Sequence, residues 1–315
     1  MGAVRKLLKD RVRFDNLDAA ESAFFRNQLE LVKARTYDRR MVKLRAREFV
    51  PLDGEVDNAT QTYTWRSYDQ VGAAILLSSY ADNLPRSDVF AKEESVQIKG
   101  LGASYGYSIQ EVRAAQKAGV ALESKKAAGA RRGIEVMIDR ILATGDASSG
   151  MKGLLNQPNA LTYTVPAGAS TSTTWALKTP AEKLADLIGI VEYIVAQTEE
   201  VEMPDTIIMP RAQFTLIRTE RFSNSSDRTT MEWFAALYPE VALQNWKKCI
   251  GAGAGSTDRM IAYSKNVDQI AGIIPQEFEQ FPVQERNLEF VVPCHARIGG
   301  VVSFYPLSVC YGDGI

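Results

Sequence analysis

The sequence predicts an α+β fold, in which strands and helices occupy separate stretches of the chain. Residues 60–68 and 94–101 alternate polar and apolar side chains and predict two strands of a long β excursion. A long helical stretch follows, and then a mixed segment whose clearest helix begins at the capping box Thr179–Glu182, with Pro180 at the first helical position. The chain closes in two further β runs. This order of elements favours the α+β class.

The size and composition predict a folded protein with a large core. The 315 residues are enough for roughly two compact units. The chain is 45% hydrophobic and 24% charged, with a formal net charge of -1, which is ordinary for a globular protein. No apolar run reaches the roughly 20 residues of a membrane span, and the first residues lack the apolar region of a secretory signal. Cys249, Cys294 and Cys310 have no C-x-x-C spacing, so we expect buried free thiols in a reducing compartment.

Charge is distributed unevenly along the chain. Residues 1–50 carry 13 Lys and Arg against 7 Asp and Glu, a net charge of +6, and the remaining residues carry 24 against 31, a net charge of -7. The basic segment includes a predicted amphipathic helix over residues 16–34, with Leu17, Phe24 and Leu31 in one row. Because these first fifty residues cannot build a core of their own, we expect an arm that docks elsewhere. Such an arm binds either nucleic acid or the acidic body of a neighbouring copy, and the protein partner is favoured.

The longest predicted helical stretch lies in the middle of the chain. It begins at the capping box Ser108–Glu111 and ends at Gly145, a glycine typical of helix C-termini. An apolar stripe that includes Ile134 and Ile138 runs along its second half. Because a glycine inside a helix costs roughly 1 kcal/mol relative to alanine, we expect a break or bend at Gly119.

Shorter elements are predicted after residue 200. They are strands at 204–210, 241–246, 260–263 and 270–274, and helices at 211–219 and 229–237. At the C-terminus, two β runs joined at Gly299-Gly300 predict a closing hairpin. No internal repeat is evident in the sequence.

Residues 138–156, IDRILATGDASSGMKGLLN, have some features of a phosphate-binding loop. A phosphate loop needs lysine directly after its second glycine and a hydroxyl residue after that lysine. Here Met151 lies between Gly150 and Lys152, and Gly153 stands where the hydroxyl is needed. The segment also closes a helix, whereas a phosphate loop opens one. The pattern therefore predicts a helix end and a turn, with Lys152 on its surface.

The other candidate clusters do not predict chemistry. Residues 251–257, GAGAGST, lack the G-x-G-x-x-G pattern and predict a flexible surface loop. His295 is the only histidine, and its neighbour Cys294 points to the opposite face of a strand, so the two do not predict a nucleophile and its base. Two charged clusters predict solvated helix surfaces: Glu199, Glu200 and Glu202, and Lys125, Lys126, Arg131 and Arg132. We therefore predict no catalytic residue, no cofactor-binding residue and no metal ligand.

Three segments of the sequence resemble a known family. They are ADNLPRSDVFAKEESVQIKGLGASYGYSIQE, EVMIDRILATGDASSGMKGLLN and VVPCHARIGGVVSFYPLSVCYGDGI, at residues 81–111, 135–156 and 291–315. Together they resemble the major capsid protein of tailed bacteriophages, which has the Hong Kong 97-type shell fold. The second segment is similar to the exit of that family's spine helix, where Gly-Asp is followed by Gly-Leu-Leu-Asn.

The resemblance implies a division of the chain and an assembly. The implied parts are an N-terminal arm at 1–52, an extended loop at 53–104, a peripheral domain with the spine helix at 105–158 and 276–315, and an axial domain at 159–275. Many copies would assemble as hexamers and pentamers into an icosahedral capsid that encloses double-stranded DNA. The chain would belong to the virion capsid and would assemble in the host cytoplasm.

The resemblance also implies partners. Portal, scaffolding or decoration proteins are expected, with any scaffold supplied as a separate protein or a piece removed earlier. The packaged DNA would be contacted weakly, because binding to phosphates rises with each Lys or Arg contact and the body of the chain is acidic. No membrane partner is expected.

Two alternatives stay open at this point. An encapsulin-type nanocompartment shell has the same fold as the phage capsid protein, and the sequence pattern does not separate the two. A small-molecule enzyme with an unrecognised site is a different class, and it is disfavoured because no convergent set of acid, base or metal ligands is visible.

Overall fold

Helices and strands are mixed along the chain, as the predicted α+β class requires. The computed structural model describes residues 41–71, 88–118, 122–223 and 226–315. Residues 44–315 form one compact unit. The predicted arm helix at 16–34 and the predicted bend at Gly119 lie outside the described residues.

The first half of the described chain contains four strands and three helices. These are α1 (Ala46–Phe49), β1 (Leu52–Asp53), β2 (Thr62–Val71), β3 (Asp88–Gln97), β4 (Lys99–Ser108), α2 (Ile109–Ala118) and α3 (Leu122–Thr144). Strands β2 and β3 pair antiparallel from Thr62–Gln97 to Val71–Asp88 and form a two-stranded ribbon. The predicted strand at 60–68 is therefore confirmed. The predicted strand at 94–101 is confirmed only in part, because β3 ends at Gln97 and residues 99–101 begin β4.

The predicted capping box at the start of α2 is present. Ser108 N–H donates to the Glu111 carboxylate at 3.1 Å, and Glu111 N–H donates to Ser108 Oγ at 3.2 Å. Helix α3 is the longest of the described helices, and its 23 residues span about 35 Å. Its predicted apolar stripe is buried, with Ile134, Ile138 and Leu142 almost inaccessible to solvent.

The second half of the described chain alternates short strands and helices. The helices are α4 (Pro180–Gln197), α5 (Arg211–Thr219) and α6 (Thr230–Leu237). The strands are β5 (Leu161–Thr164), β6 (Thr206–Met209), β7 (Arg221–Ser223), β8 (Ser226–Thr229), β9 (Ala242–Asn245), β10 (Arg259–Tyr263), β11 (Ile270–Ile273), β12 (Gln276–Gln280), β13 (Gln284–Arg286), β14 (Glu289–Ile298), β15 (Gly300–Ser303) and β16 (Val309–Asp313). The predicted helices at 211–219 and 229–237 and the predicted strands between 204 and 274 are confirmed.

Two larger sheets carry most of these strands. In the five-stranded sheet the order is β5-β16-β10-β6-β9, and α4 packs on it with Leu187, Ile190 and Ile194 fully buried. In the second sheet, β14 pairs over its whole length with β4 on one edge and with β12 and β13 on the other. Helix α3 packs against β4 and β14 of this second sheet. The long helix therefore backs one sheet while the shorter helices cover the other.

The predicted closing hairpin at Gly299-Gly300 is wrong. Strands β14 and β15 belong to different sheets, because β15 pairs with β11, which in turn pairs with β1. One residue separates the two strands, too few for a hairpin turn, and Gly300 has a φ of +86° that redirects the chain. The next strand, β16, joins the five-stranded sheet. The C-terminal run thus crosses three sheets and ties them together.

The end of the predicted arm is part of the core of its own chain. Ala46, Phe49 and Val50 are fully buried. Ala46 N–H donates to the Asp139 carboxylate of α3 at 2.9 Å, and Tyr263 Oη of β10 donates to the Phe49 carbonyl at 2.7 Å. The expectation that all fifty residues dock elsewhere is therefore wrong for residues 46–50, because these few apolar side chains fit between α3 and β10.

Candidate functional site

The chain leaves α3 through a tight turn at residues 145–156, which we call the exit turn. Gly145 ends the helix with φ +70°, and its N–H donates to the Ile141 carbonyl at 2.8 Å. Asp146 and Met151 then exchange two backbone hydrogen bonds at 3.0 and 3.1 Å. The left-handed conformation at Gly145 lets the chain reverse within one residue of the last helical turn. The predicted helix end at Gly145 is confirmed.

Polar side chains inside the exit turn fix its shape. The Asp146 carboxylate accepts hydrogen bonds from Ser148 Oγ and Ser149 N–H, and these hydrogen bonds hold the pKa of Asp146 below its ordinary value. Asn156 accepts from Gly153 N–H at 2.7 Å and donates to the Thr144 carbonyl at 2.9 Å. The second bond ties the end of the turn back to the last residue of α3.

The exit turn does not form a phosphate cradle. A phosphate loop needs several backbone N–H groups that are free to converge on an anion. Here the turn uses its own N–H groups in internal hydrogen bonds, namely those of Asp146, Ser149, Gly150, Met151 and Gly153. Lys152 is exposed on the turn, as predicted. The exit turn therefore resembles a nucleotide-binding loop in its sequence but not in its structure.

The exit turn is also bonded to two sheets, and we call this meeting point the junction. The Lys152 carbonyl accepts from Val301 N–H of β15 at 2.8 Å. Tyr311 Oη of β16 donates to the Leu154 carbonyl at 2.7 Å and accepts from Gln157 N–H at 2.8 Å. These bonds set the direction of α3 relative to the five-stranded sheet.

A partly buried ion pair supports the junction from the side of the five-stranded sheet. The Arg259 guanidinium donates twice to the Asp313 carboxylate, at 2.7 and 2.8 Å, and lies 4.3 Å from the centre of the Tyr311 ring. Burial acts to raise the pKa of Asp313, but the hydrogen bonds from Arg259 and Ala254 N–H outweigh it, and the pKa lies below its ordinary value. The aspartate is therefore ionised at neutral pH and holds the arginine in place.

Two of the three glycines of the exit turn, Gly145 and Gly150, predict unequal costs of substitution. Gly145 and Gly150 both have φ +70°, but a Cβ on Gly145 would overlap the Met151 carbonyl oxygen, whereas Gly150 has open space around it. We expect Gly150→Ala to lower the free energy of unfolding by about 1 kcal/mol from backbone strain alone. Gly145→Ala should lower it by about 3 kcal/mol because the turn must also shift. Urea unfolding of both variants measures the difference, and equal losses would contradict this account of the turn.

The β2–β3 ribbon is the second notable feature, because most of its surface is uncovered. Tyr68 is 64% exposed and Phe90 is 61% exposed. Of its described side chains, those at the base are packed, where Trp65 meets Phe304 edge to face at 5.9 Å between ring centres and Tyr63 lies 6.5 Å from the same ring. An isolated two-stranded ribbon is marginally stable in water, and its edges are open to pairing. Among the described residues, nothing covers the distal part of the ribbon.

The other residues that were considered as possible sites from the sequence are packed against other side chains or lie in a surface loop. His295 packs its ring 6.5 Å from the Phe281 ring, and its neighbour Cys294 is buried on the other face of β14. Burial raises the pKa of Cys249 and Cys310 to about 12, so both thiols stay protonated. The glycine-rich loop 251–257 is largely exposed, as predicted. These side chains do not converge on a common site.

The charged clusters likewise lie on surfaces. Glu199 and Glu200 are exposed at the end of α4. On the long helix, Lys126 pairs with Glu111 at 3.0 Å and Arg131 lies 5.8 Å from the centre of the Phe278 ring. Within the described ranges, no group of three or more His, Cys, Asp or Glu side chains could hold a metal ion. No helix in the same part of the chain is long and apolar enough to cross a membrane.

Solved structures with a similar fold come from phages and from a virus-like particle. The capsid of Myoviridae phage XM1 matches with a TM-score of 0.79 at 17% identity, over 92% of this chain and 98% of that one. A Mycobacterium phage Ogopogo structure matches with a TM-score of 0.60 at 10% identity, over 93% and 98% of the two chains. A virus-like particle from Pyrococcus furiosus matches with a TM-score of 0.53 at 12% identity, over 84% and 91%. The fold is therefore that of the phage XM1 capsid, in agreement with the Hong Kong 97-type capsid fold expected from the sequence.

Sequence comparison identifies the family of the chain. A family model described as major capsid protein matches residues 72–315. The chain belongs to the major capsid protein family: it is a viral structural protein that forms an icosahedral capsid, and it is not an enzyme. Comparison with curated protein sequences finds no match.

Proposed function

We propose that the chain assembles as hexamers and pentamers and that the resulting shell of a tailed bacteriophage encloses double-stranded DNA. The observation that carries this proposal is the exposure of the β2–β3 ribbon. The body that bears the ribbon is held together at the junction by many internal hydrogen bonds. A rigid body with an exposed ribbon can make the same lateral contact in each copy, as closed symmetric shells require.

The implied division of the chain becomes part of the proposal. Residues 53–104 would be the extended loop, residues 105–158 and 276–315 the peripheral domain, and residues 159–275 the axial domain. The two larger sheets support this division, because β14 with α3 and β10 with α4 form separate layers. Strands β15 and β16 are exceptions, since β15 pairs with β11, and β16 with β5 and β10, of the proposed axial domain. Of the proposed arm, residues 1–52, the last residues are anchored in the core.

The charge distribution supports weak contact with packaged DNA. Residues 51–315 have a net charge of -7, and each phosphate contact would need a Lys or Arg side chain. Residues 1–50, by contrast, have a net charge of +6. We also propose that portal, scaffolding or decoration proteins take part and that assembly takes place in the host cytoplasm.

An encapsulin-type nanocompartment is the second candidate. The likeness to the virus-like particle from Pyrococcus furiosus favours it, although the TM-score of 0.53 is well below the 0.79 for the phage XM1 capsid. The contents of particles isolated from cells distinguish the two candidates. Double-stranded DNA protected from nuclease would support the phage capsid, and a single enclosed cargo protein would support the nanocompartment.

A further inference from the structure

A cavity of about 860 Å³ lies at the base of the β2–β3 ribbon, and we call it the ribbon-base cavity. Its lining includes three carboxylates and several aromatic rings. The carboxylates belong to Asp53, Glu55 and Asp268, and the rings include those of Tyr63, Trp65 and Tyr305. The cavity does not overlap the exit turn.

Four chain segments bring these side chains together. Asp53 lies on β1 opposite Ile273 of β11, and Asp268 lies two residues before β11 begins. Phe304 N–H donates to the Gln269 carbonyl at 2.9 Å, which holds the segment carrying Tyr305 beside Asp268. The walls are therefore fixed by β1, the base of the ribbon and the segments that flank β11 and β15.

The carboxylates of the cavity have no cationic partner in the part of the chain that the structure describes. Asp53 accepts hydrogen bonds from Glu55 N–H at 2.9 Å and from Tyr63 Oη at 3.1 Å, and neither donor is charged. Burial and the neighbouring Asp53 carboxylate raise the pKa of Tyr63 to about 12. Arg66 also lines the cavity, but its guanidinium pairs with Glu93 at 2.9 Å. The cavity therefore keeps an excess of negative charge.

The aromatic rings add a second attraction for a cation. The electron-rich faces of Trp and Tyr attract ammonium and guanidinium groups, with contacts worth about 0.5–2 kcal/mol. Arg is well suited to such a site, since its flat guanidinium can stack on a ring and bond to a carboxylate at the same time. Tyr305 is 57% exposed at the rim, so a side chain from outside could reach it. The chemistry fits a basic side chain flanked by apolar residues.

We propose that the ribbon-base cavity binds the basic segment at residues 5–13 of a second copy of this chain. This segment, RKLLKDRVR, has five basic residues and one acidic residue within nine positions, and Leu7, Leu8 and Val12 are apolar. Its positive charge complements a body with a net charge of -7. The inference rests on the proposed function, because it needs a second copy beside the first.

Crosslinking between copies of the full chain tests the contact. A photoreactive phenylalanine analogue replaces Tyr68, which lines the cavity and is exposed, in a shell assembled from equal amounts of light and heavy isotope-labelled chains. We expect mass spectrometry to find residues 5–13 crosslinked to position 68 in mixed light–heavy pairs. The absence of crosslinks to residues 5–13, or crosslinks to residues 5–13 of the same copy alone, would overturn the inference.

Charge reversal tests the chemistry of the contact. Glu55→Lys with Asp268→Lys should lower the yield of this crosslink at least about tenfold, and adding Arg11→Glu with Arg13→Glu should restore it. The matched control is Glu240→Lys with Glu285→Lys, which makes the same charge change at exposed residues outside the cavity and should leave the yield unchanged. Equal losses in the two double variants, or no restoration, would overturn the inference.

The failure of this inference is distinguishable from the failure of the proposed function. Shells that form normally without the crosslink would overturn the cavity contact and leave the capsid function in place. A full chain that forms neither shells nor crosslinks would overturn both.

Discussion

Deletion of residues 1–43 is expected to abolish shell assembly while leaving the rest of the chain folded. Residues 44–315 form a compact unit by themselves, and Ala46, Phe49 and Val50 keep their buried places in that unit. The deletion removes 11 Lys and Arg against 6 Asp and Glu, a net charge of +5, which complements the acidic body. Sedimentation and electron microscopy measure assembly, and circular dichroism measures folding.

A longer deletion gives the matched control. Removing residues 1–50 takes away Phe49, whose ring lies 5.0 Å from that of Trp246, and also Val50. Loss of a buried phenylalanine side chain alone costs about 3–5 kcal/mol, so this variant should be unfolded or strongly destabilised. If the shorter deletion still forms normal shells, the arm has no role in assembly. If the longer deletion is as stable as the shorter one, the packing described for Phe49 is wrong.

Asp186→Ala is expected to destabilise the chain by about 3–5 kcal/mol, because it leaves a buried lysine without its counter-charge. Lys178 Nζ lies 2.6 Å from the Asp186 carboxylate, and their side chains are 1% and 2% exposed. Trp175 Nε1 donates to the same carboxylate at 2.8 Å. Burial raises the pKa of Asp186, although the hydrogen bonds from Lys178 and Trp175 act to lower it. Urea unfolding of unassembled protein that lacks residues 1–43 measures the loss without a contribution from assembly.

Two controls separate the buried charge from other causes of this loss. Lys178→Met combined with Asp186→Leu removes both charges and should recover most of the stability. Glu93→Ala breaks an exposed ion pair, in which the side chain of Arg66 is 64% exposed and that of Glu93 is 56% exposed. This substitution should lower the free energy of unfolding by less than about 1 kcal/mol. If the double variant is as unstable as Asp186→Ala, an uncompensated charge is not the cause.

Helices were predictable from the sequence where local chemistry sets their ends. Thr179 and Glu182 form the reciprocal capping box that their spacing indicates, and so do Thr229 and Glu232. Gly145 ends α3 because no side chain fits the conformation that the turn requires there. In each case the decisive contacts lie within a few residues of one another, so the sequence pattern contains them.

Strand partners were less predictable, because they depend on residues far apart in the chain. The alternation in β14 indicates a strand, but it does not show that β4, almost 200 positions earlier, pairs along its whole length. Gly299-Gly300 has the composition of a hairpin turn and instead joins two sheets. The buried place of Phe49 is equally hidden, because its surroundings are supplied by α3, β10 and Trp246.

The exit turn and the ribbon-base cavity differ in the same way, because one is built from neighbouring residues and the other from residues far apart in the chain. The exit turn could be found because its residues are contiguous, and the misplacement of Lys152 argued against a phosphate loop. The ribbon-base cavity could not be found, because Asp53, Asp268 and Tyr305 are separated in sequence and meet only through the pairing of β11 with β1 and β15. The only sign of an acidic site in the sequence was the excess of acidic residues after residue 50, and that excess does not show where in the fold such a site lies.

Electron microscopy of the purified full chain tests the central claim most directly, because a capsid subunit must build closed shells. We predict closed particles whose surface resolves into capsomers of six and of five copies, with the β2–β3 ribbon covered by a neighbouring subunit. Only discrete monomers or dimers under all assembly conditions, or open sheets without fivefold capsomers, would contradict the account.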